Sequence, residues 1–183
     1  MVLMESFGVP LGTPAYDFSL QDVSGRTFNL SDFSQARVLV LVFMCNHCPY
    51  VKACVDRLVA LQRDFLNRDV QFVGINSNDA TDYPEDSFEA MQEFAKEHQM
   101  NFPYLHDDRQ RVARMYRAMC TPDIFVYSTD RKLQYHGRID DNWKDPTRVK
   151  REDLRGAIES MLSGERLTTV QYPSMGCSIK WKN

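Results

Sequence analysis

Two cysteines separated by two residues, in Cys45-Asn46-His47-Cys48, are the part of this sequence whose side-chain types and spacing carry chemistry most directly. That spacing lets the second sulfur reach the first, so a mixed disulfide formed on one cysteine can be resolved by the other. Half of a four-ligand zinc site is the other reading, but no second Cys-x-x-Cys or His-x-His pair completes it. A cysteine at the end of a strand and the start of a helix faces unpaired amides and the positive end of the helix dipole, which favour its thiolate. His47, between the sulfurs, is either an imidazolium that stabilises the thiolate and makes the disulfide more oxidising, or a solvated loop residue.

Three further cysteines bring the total to five, an odd number spread over a chain large enough to fold without covalent staples, which argues against a secreted disulfide framework. Cys54 lies on an apolar helical stripe and reads as core. Cys120 reads as packing. Cys177 lies in Tyr172-Pro173-Ser174-Met175-Gly176-Cys177, where Gly176 lets the chain bend beside the thiol while Ile179 and Trp181 alternate as a short strand or docking segment would. That pattern pins the tail, and either holds a third thiol near the active loop or leaves an incidental one. Asp140 and Asp141 read as a solvated strand end rather than a base, and Trp143 and Trp181 as packing. Taken alone, Thr121-Pro122 reads as an ordinary trans turn proline ahead of a strand.

The elements that must position these groups follow from periodicity. Residues 16–33 hold two alternating runs around Ser24-Gly25, a peripheral hairpin. Within residues 37–44, Val38 to Met44 form an unbroken apolar run, as a strand covered on both faces does. From Pro49 the positions Val51, Cys54, Val55, Leu58, Leu61 and Phe65 recur at helical steps to about residue 68. A second run, 70–75, completes a βαβ unit. A polar loop over 76–83 precedes a helix over 84–99 with acidic residues in its first turn. A short strand (102–105), a short helix (109–117), a hairpin (123–127 with 133–138) and a last helix (152–162), stopped by Gly164, complete the pattern. The order implies a three-layer α/β/α sandwich with a central mixed sheet and an N-terminal β-hairpin, one domain over 1–183 with a tail over 165–183.

The composition narrows the partners. Lys plus Arg number 22 against 25 Asp plus Glu, a formal charge of -3 with scattered basic residues, so no nucleic-acid partner is expected. No apolar run approaches the roughly 20 residues that span a bilayer, so no membrane partner is expected either. The first residues lack a basic flank and a cleavage site, and a cytoplasmic location is the expectation.

Cys-x-x-Cys closing a strand and opening a helix, followed by Thr121-Pro122 ahead of a hairpin and a final helix, resembles the thioredoxin superfamily. The hairpin with Asp17, Phe18, Leu20, Asp22 and Gly25, and the insertion over 76–100, resemble its peroxiredoxin-like branch, the alkyl hydroperoxide reductase and thiol-specific antioxidant family. Cys45-Asn-His-Cys-Pro-Tyr-Val-Lys52, Cys120-Thr-Pro-Asp123 and Gly137-Arg-Ile-Asp-Asp141 resemble an uncharacterised subgroup of it. The resemblance implies a cis Pro122 shaping a substrate groove, with Thr121 and Asn46 at the substrate. It also implies late-chain resolving chemistry for Cys177, with Cys120 as a second auxiliary thiol. Leu39 stands where thioredoxins carry an acidic proton acceptor, and Leu41 and Cys45 stand at the proline and threonine of the peroxiredoxin peroxide motif.

The expected function is that of a thiol-disulfide oxidoreductase acting in antioxidant defence, with Cys45 the exposed nucleophile, Cys48 its resolving partner and His47 tuning the pair. Its partners would be a protein or small-molecule disulfide or thiol and an electron donor, with no cofactor and no metal. Two rivals remain: a thiol-dependent peroxidase using Cys48, matching Cys48-Pro49 to the peroxiredoxin Cys-Pro, and a copper or zinc carrier using Cys45, Cys48 and a histidine such as His106 or His136.

Overall fold

The computed structural model describes residues 3–165, 167 and 170–182. The elements begin with β1 (Leu3–Glu5), β2 (Ser19–Asp22), β3 (Thr27–Asn29), β4 (Val38–Phe43), α1 (Pro49–Phe65) and β5 (Val70–Asn76). They continue with α2 (Phe88–Glu97), β6 (Tyr104–His106), α3 (Arg111–Tyr116), β7 (Cys120–Thr121), β8 (Asp123–Tyr127), β9 (Leu133–Gly137), α4 (Asp153–Ser163) and β10 (Met175–Ser178). Seven strands form a mixed sheet in the order β3-β2-β6-β5-β4-β8-β9. The β4–β5 and β5–β6 pairs are parallel, and β4–β8 and β8–β9 are antiparallel.

Every residue of β4 is buried, because the strand is central and covered on both faces. Its alternation divides the core in two. Val38, Val40 and Val42 pack with Val51, Val55 and Leu58 of α1 and with residues of α2 and α4. Leu39, Leu41 and Phe43 face the other way, onto α3 and the aromatic rings of Phe18 and Phe33 from the N-terminal segment. The expected sandwich is therefore present, with helices α1, α2 and α4 on one face and a thinner layer on the other.

Several boundaries move for local reasons. α1 ends at Phe65 rather than near residue 68, and the chain reverses through Asp69 at a left-handed φ of 55°. The helix expected over 84–99 is two pieces. Pro84–Asp86 is one 3-10 turn, and Ser87 then turns extended and caps α2, its hydroxyl accepting from the Ala90 amide at 3.3 Å. α3 is shortened at both ends, by Gln110 and Arg117 at left-handed φ values of 57° and 58°.

A second, three-stranded sheet, β1-β10-β7, was not anticipated. It docks the tail, as expected; the strand is residues 175–178, and Ile179 and Lys180, which follow it, are also packed and hydrogen-bonded to the body. Cys177 lies opposite Thr121 and Ser178 opposite Cys120. Gly176 makes this approach possible, because a Cβ there would stand 2.0 Å from the Thr121 carbonyl oxygen, which main chain cannot yield. Gly176→Ala is accordingly expected to destabilise the fold by about 1–3 kcal/mol, as overpacking does, and thermal denaturation should show a drop of about 2–4 °C for each of those kcal/mol. An unchanged melting temperature would mean that β10 does not lie this close to β7.

Candidate active site

β4 delivers the chain to the site: the Met44 amide donates to the Ile75 carbonyl at 2.9 Å, and residues 45–48 then turn into α1. Pro49 occupies the first helical turn, where its missing amide costs nothing, and Cys48 is the N-cap residue. Across the loop stands the Thr121-Pro122 peptide, which is cis, as the family resemblance implied and the isolated sequence did not. Thr121 touches both sulfurs. Its hydroxyl lies 3.3 Å from Cys45 Sγ, and its carbonyl accepts from Cys48 Sγ at 3.1 Å.

The two cysteines do not differ in the way expected. Cys45, expected to be the exposed nucleophile, is fully buried, as is Cys48. Burial first of all, then the neighbouring Cys48 and the negative charge of Asp86, pushes the Cys45 thiol well above its ordinary value. Cys48 goes the other way. The Cys45 S–H donates to it and outweighs the cost of burial, helped by the Cys177 and Thr121 side chains and the Val51 amide. Cys48, at the helix N-terminus, is therefore the more readily ionised of the pair, its neutral form donating to the Thr121 carbonyl.

His47 does not hold its charge for the sulfurs first. Its Nδ1 lies 2.6 Å from Asp86 Oδ2, and that hydrogen bond raises its pKa against the opposing effect of burial. The ring stacks on Tyr83, with centroids 5.2 Å apart and planes 9° from parallel. Asp86 is completely buried. It also accepts from the Asn46 amide at 2.7 Å and from Asn78 Nδ2 at 2.7 Å. Burial pushes its carboxyl up, but these donors and His47 prevail and hold it below the usual value. The one sequence signal for Asp86 was its place after Pro84, among the acidic residues of a helical first turn, which says nothing of a partner in the cysteine loop.

Asn46, expected at the substrate, is instead a strut. It is buried, and its side chain donates to the Glu85 carbonyl at 2.9 Å and accepts from the Tyr104 hydroxyl at 2.8 Å. Cys120 packs near the Pro122 and Ser174 carbonyls, and burial pushes it far up. Cys54 is core, pushed up to about 12 by burial. Cys177 is drawn into the site: it is buried and hydrogen-bonds Cys48. Asp140 departs from the solvated strand end that was expected. It is buried, pairs with Arg57, and helps that guanidinium hold the Asn142 and Trp143 carbonyls. Trp143 packs on Tyr50, as expected of a packing residue.

Cys45, His47 and Asp86 bring three metal-type ligand atoms within 4.8 Å of one another. The carboxylate oxygens, however, are already taken by two amides, Asn78 and the imidazole, and the Cys45 sulfur is turned to the Thr121 hydroxyl, while His47 Nε2 is buried without a hydrogen-bond partner. Neither His106 nor His136 joins the trio. His136 pairs with Asp123 at 2.8 Å and stacks on Phe125, and His106 lines a hollow of about 540 Å³ that shares no residue with the cysteine loop. A cavity of about 260 Å³, lined by Tyr50, Pro122, Arg138, Trp143 and Tyr172, adjoins the first turn of α1 on the Pro122 side.

Residues 11–136 match the model of the AhpC/TSA family. The chain belongs to that family. Among solved structures, an uncharacterised conserved protein from Geobacillus kaustophilus is 43% identical with a TM-score of 0.95, over 100% of this chain and 97% of that one. A hypothetical protein from Sinorhizobium meliloti 1021 is 40% identical with a TM-score of 0.92, over 97% and 98%. The thioredoxin domain of a thiol-disulfide oxidoreductase from Bacteroides vulgatus, 15% identical with a TM-score of 0.67 over 85% and 99%, shares the fold. No curated protein matches the chain. Among the described residues of this AhpC/TSA member, no helix is long and apolar enough to cross a membrane.

The His47–Asp86 pair makes a pH-dependent contribution whose sign is set by both shifts. A raised imidazole value adds stability that is complete below the ordinary 6.5 and lost as pH rises through the folded value. A depressed carboxyl value adds stability that is complete above the ordinary 3.8 and lost as pH falls through the folded value. Urea denaturation should therefore show the largest gap between the parent and His47→Gln at about pH 4–6, narrowing on both sides. In Asp86→Asn the His47 ring should titrate, by NMR, at a lower pH than in the parent; an unmoved midpoint would dissolve the pair.

Proposed function

We propose that this chain is a thiol-disulfide oxidoreductase in which Cys48 is the attacking thiolate and Cys45 its disulfide partner. The observation that carries the reading is the placement of Cys48 at the N-cap of α1, with its sulfur against Thr121 and accepting from Cys45. In the reaction, Cys48 attacks one sulfur of a substrate disulfide, and the other sulfur leaves as a thiolate that takes up a proton. Cys45 then attacks Cys48 Sγ, and the second substrate thiol is released. The substrate gains two electrons and two protons while the Cys45–Cys48 disulfide forms; an external thiol reverses the cycle. Pro122 and the cavity beside it form the approach, and burial of both sulfurs favours a small-molecule disulfide over one on the surface of a folded protein.

A second reading is supported by family membership and by Cys48-Pro49: the same thiolate reducing a peroxide. The two separate in one assay of the reduced protein. Cys48→Ser should lower the rate of reaction with a small disulfide by at least about 10³-fold, as loss of a nucleophile does, whereas Cys45→Ser should leave the first step, formation of a mixed disulfide on Cys48, intact. If Cys45→Ser is inert and Cys48→Ser forms the mixed disulfide, the roles are those first expected from the sequence. Oxidation by hydrogen peroxide faster than by the disulfide, and faster than for a free thiol, would select the peroxidase reading.

A further inference from the structure

We propose that the His47–Asp86 pair is the proton acceptor of Cys45 in the step that closes the Cys45–Cys48 disulfide, with the lone pair of His47 Nε2 taking the proton. The inference rests on the reading of Cys48 as the attacking sulfur and Cys45 as its partner. That closing step demands a base. Cys45 is buried, and burial, the neighbouring Cys48 and the charge of Asp86 all oppose its ionisation. The strand that delivers it, β4, is apolar throughout and offers no acceptor.

The groups that could serve are already together. The Cys45 sulfur, an imidazole nitrogen of His47 and a carboxylate oxygen of Asp86 lie within 4.8 Å of one another. Asp86 fixes the tautomer. A carboxylate only accepts, so with Nδ1 at 2.6 Å from Oδ2 the neutral ring carries its hydrogen there and its lone pair on Nε2. Tyr83, stacked on the ring with centroids 5.2 Å apart, holds its plane. Nε2 is buried and makes no hydrogen bond. A buried nitrogen without a partner is a cost, and a proton delivered only during the reaction accounts for it. The neighbouring oxygens are occupied: those of Asp86 accept from the Asn46 and His47 amides, Asn78 and the imidazole, and the Tyr104 hydroxyl donates to Asn46 Oδ1.

In the reduced protein the Cys45 S–H donates to Cys48, and its sulfur lies 3.3 Å from the Thr121 hydroxyl. Once Cys48 carries half of the substrate it is no longer a thiolate, and the Cys45 proton turns to Nε2; such contacts tighten only when substrate is bound. The S–H bond of Cys45 breaks and an N–H bond forms on Nε2. The freed electron pair bonds Cys45 to Cys48 Sγ, and the bond from Cys48 to the substrate sulfur breaks, so that the substrate leaves as a thiolate. The imidazolium, held against Asp86, then gives its proton to that thiolate. Thiol, imidazole and orienting carboxylate thus divide the work as in other base-activated nucleophiles.

The test mixes the full-length reduced protein with one equivalent of dithiobis-nitrobenzoate, an aromatic disulfide whose thiolate is coloured, in a stopped-flow instrument. The first release of colour reports attack by Cys48, the second reports closure by Cys45, and peptide mapping identifies the bond formed. Asp86, Cys48, Tyr83, Tyr104 and Lys180 face the ring and Cys45. Cys48 is blocked at this stage, Asp86 is held low and Tyr104 is pushed far up, and imidazole is the side chain that changes charge between about pH 5 and 8. In the parent, the second release should therefore quicken with pH and level off in the neutral range. His47→Gln should slow it at least about 10²-fold at about pH 7, as loss of a general base does, with a rate that keeps rising into alkali and approaches the parent there. Slowing by the same factor at every pH would mean lost packing rather than a lost base; that result, or an unchanged second release, overturns the inference and leaves the oxidoreductase reading standing. A parent profile that climbs through the alkaline range without levelling overturns it too, and needs no variant. If Cys48→Ser still gives the first release, or mapping finds no Cys45–Cys48 bond in the parent, both fall.

Discussion

The site depends on where the main chain of Thr121 is held. This one residue stands against both sulfurs of the cysteine loop and forms the β-ladder with the strand that carries Cys177. Its position is set from two sides. β8, which follows it directly, is paired along its length with the central strand β4, and β10 closes over it with a glycine at the point of nearest approach. Because β4 also delivers Cys45, the same strand fixes both halves of the site. Rigid sheet elements can hold sulfur and carbonyl in register to a degree that loops alone do not.

The difference between the two cysteines is electrostatic. Both are equally buried, so desolvation acts against ionisation of each. Cys48 is relieved by S–H donors and by the amides at the start of α1, whereas Cys45 faces the buried carboxylate of Asp86. A charge taken from water must be paired and hydrogen-bonded to persist. Asp86 meets that condition through His47, Asn78 and the Asn46 amide. Burial first, and then the neighbouring Cys48 and this charge, push the Cys45 thiol up. His47 is thus primarily a counter-ion of Asp86, and its influence on the sulfurs runs through that pair.

The same network explains why the polar segment after β5 is not a solvated loop. Asn76, Ser77, Asn78 and Asp79 are all buried, and they connect the cysteine loop to the tail through Asp86 and Lys180. Buried polar groups that are each satisfied act as a specifying frame rather than a cost. The tail, segment 76–86 and the cysteine loop are thus tied to one another by hydrogen bonds.

The amino-acid sequence determined those features that depend on near neighbours. The seven-residue apolar run before Cys45, the helical stripe from Val51 to Phe65 and the turn at Ser24-Gly25 appear where they were expected, because strand, helix and turn preferences act over a few residues. The Cys45/Cys48 pair and its place at a helix start were legible for the same reason. What the tertiary structure alone decided is which groups those cysteines face. Asp86 meets Asn46 from 40 residues away, and Cys48 meets Thr121 from 73. The strands β1, β7 and β10 are two to four residues long, too short to carry a period, and become a sheet only when brought together. Burial of Asp140 with Arg57, the inward turn of Asn46 and the assignment of the thiolate to Cys48 share that origin. A pKa depends on the charges, donors and solvent within a few ångströms, and those are set by the packing of distant segments rather than by the residues on either side.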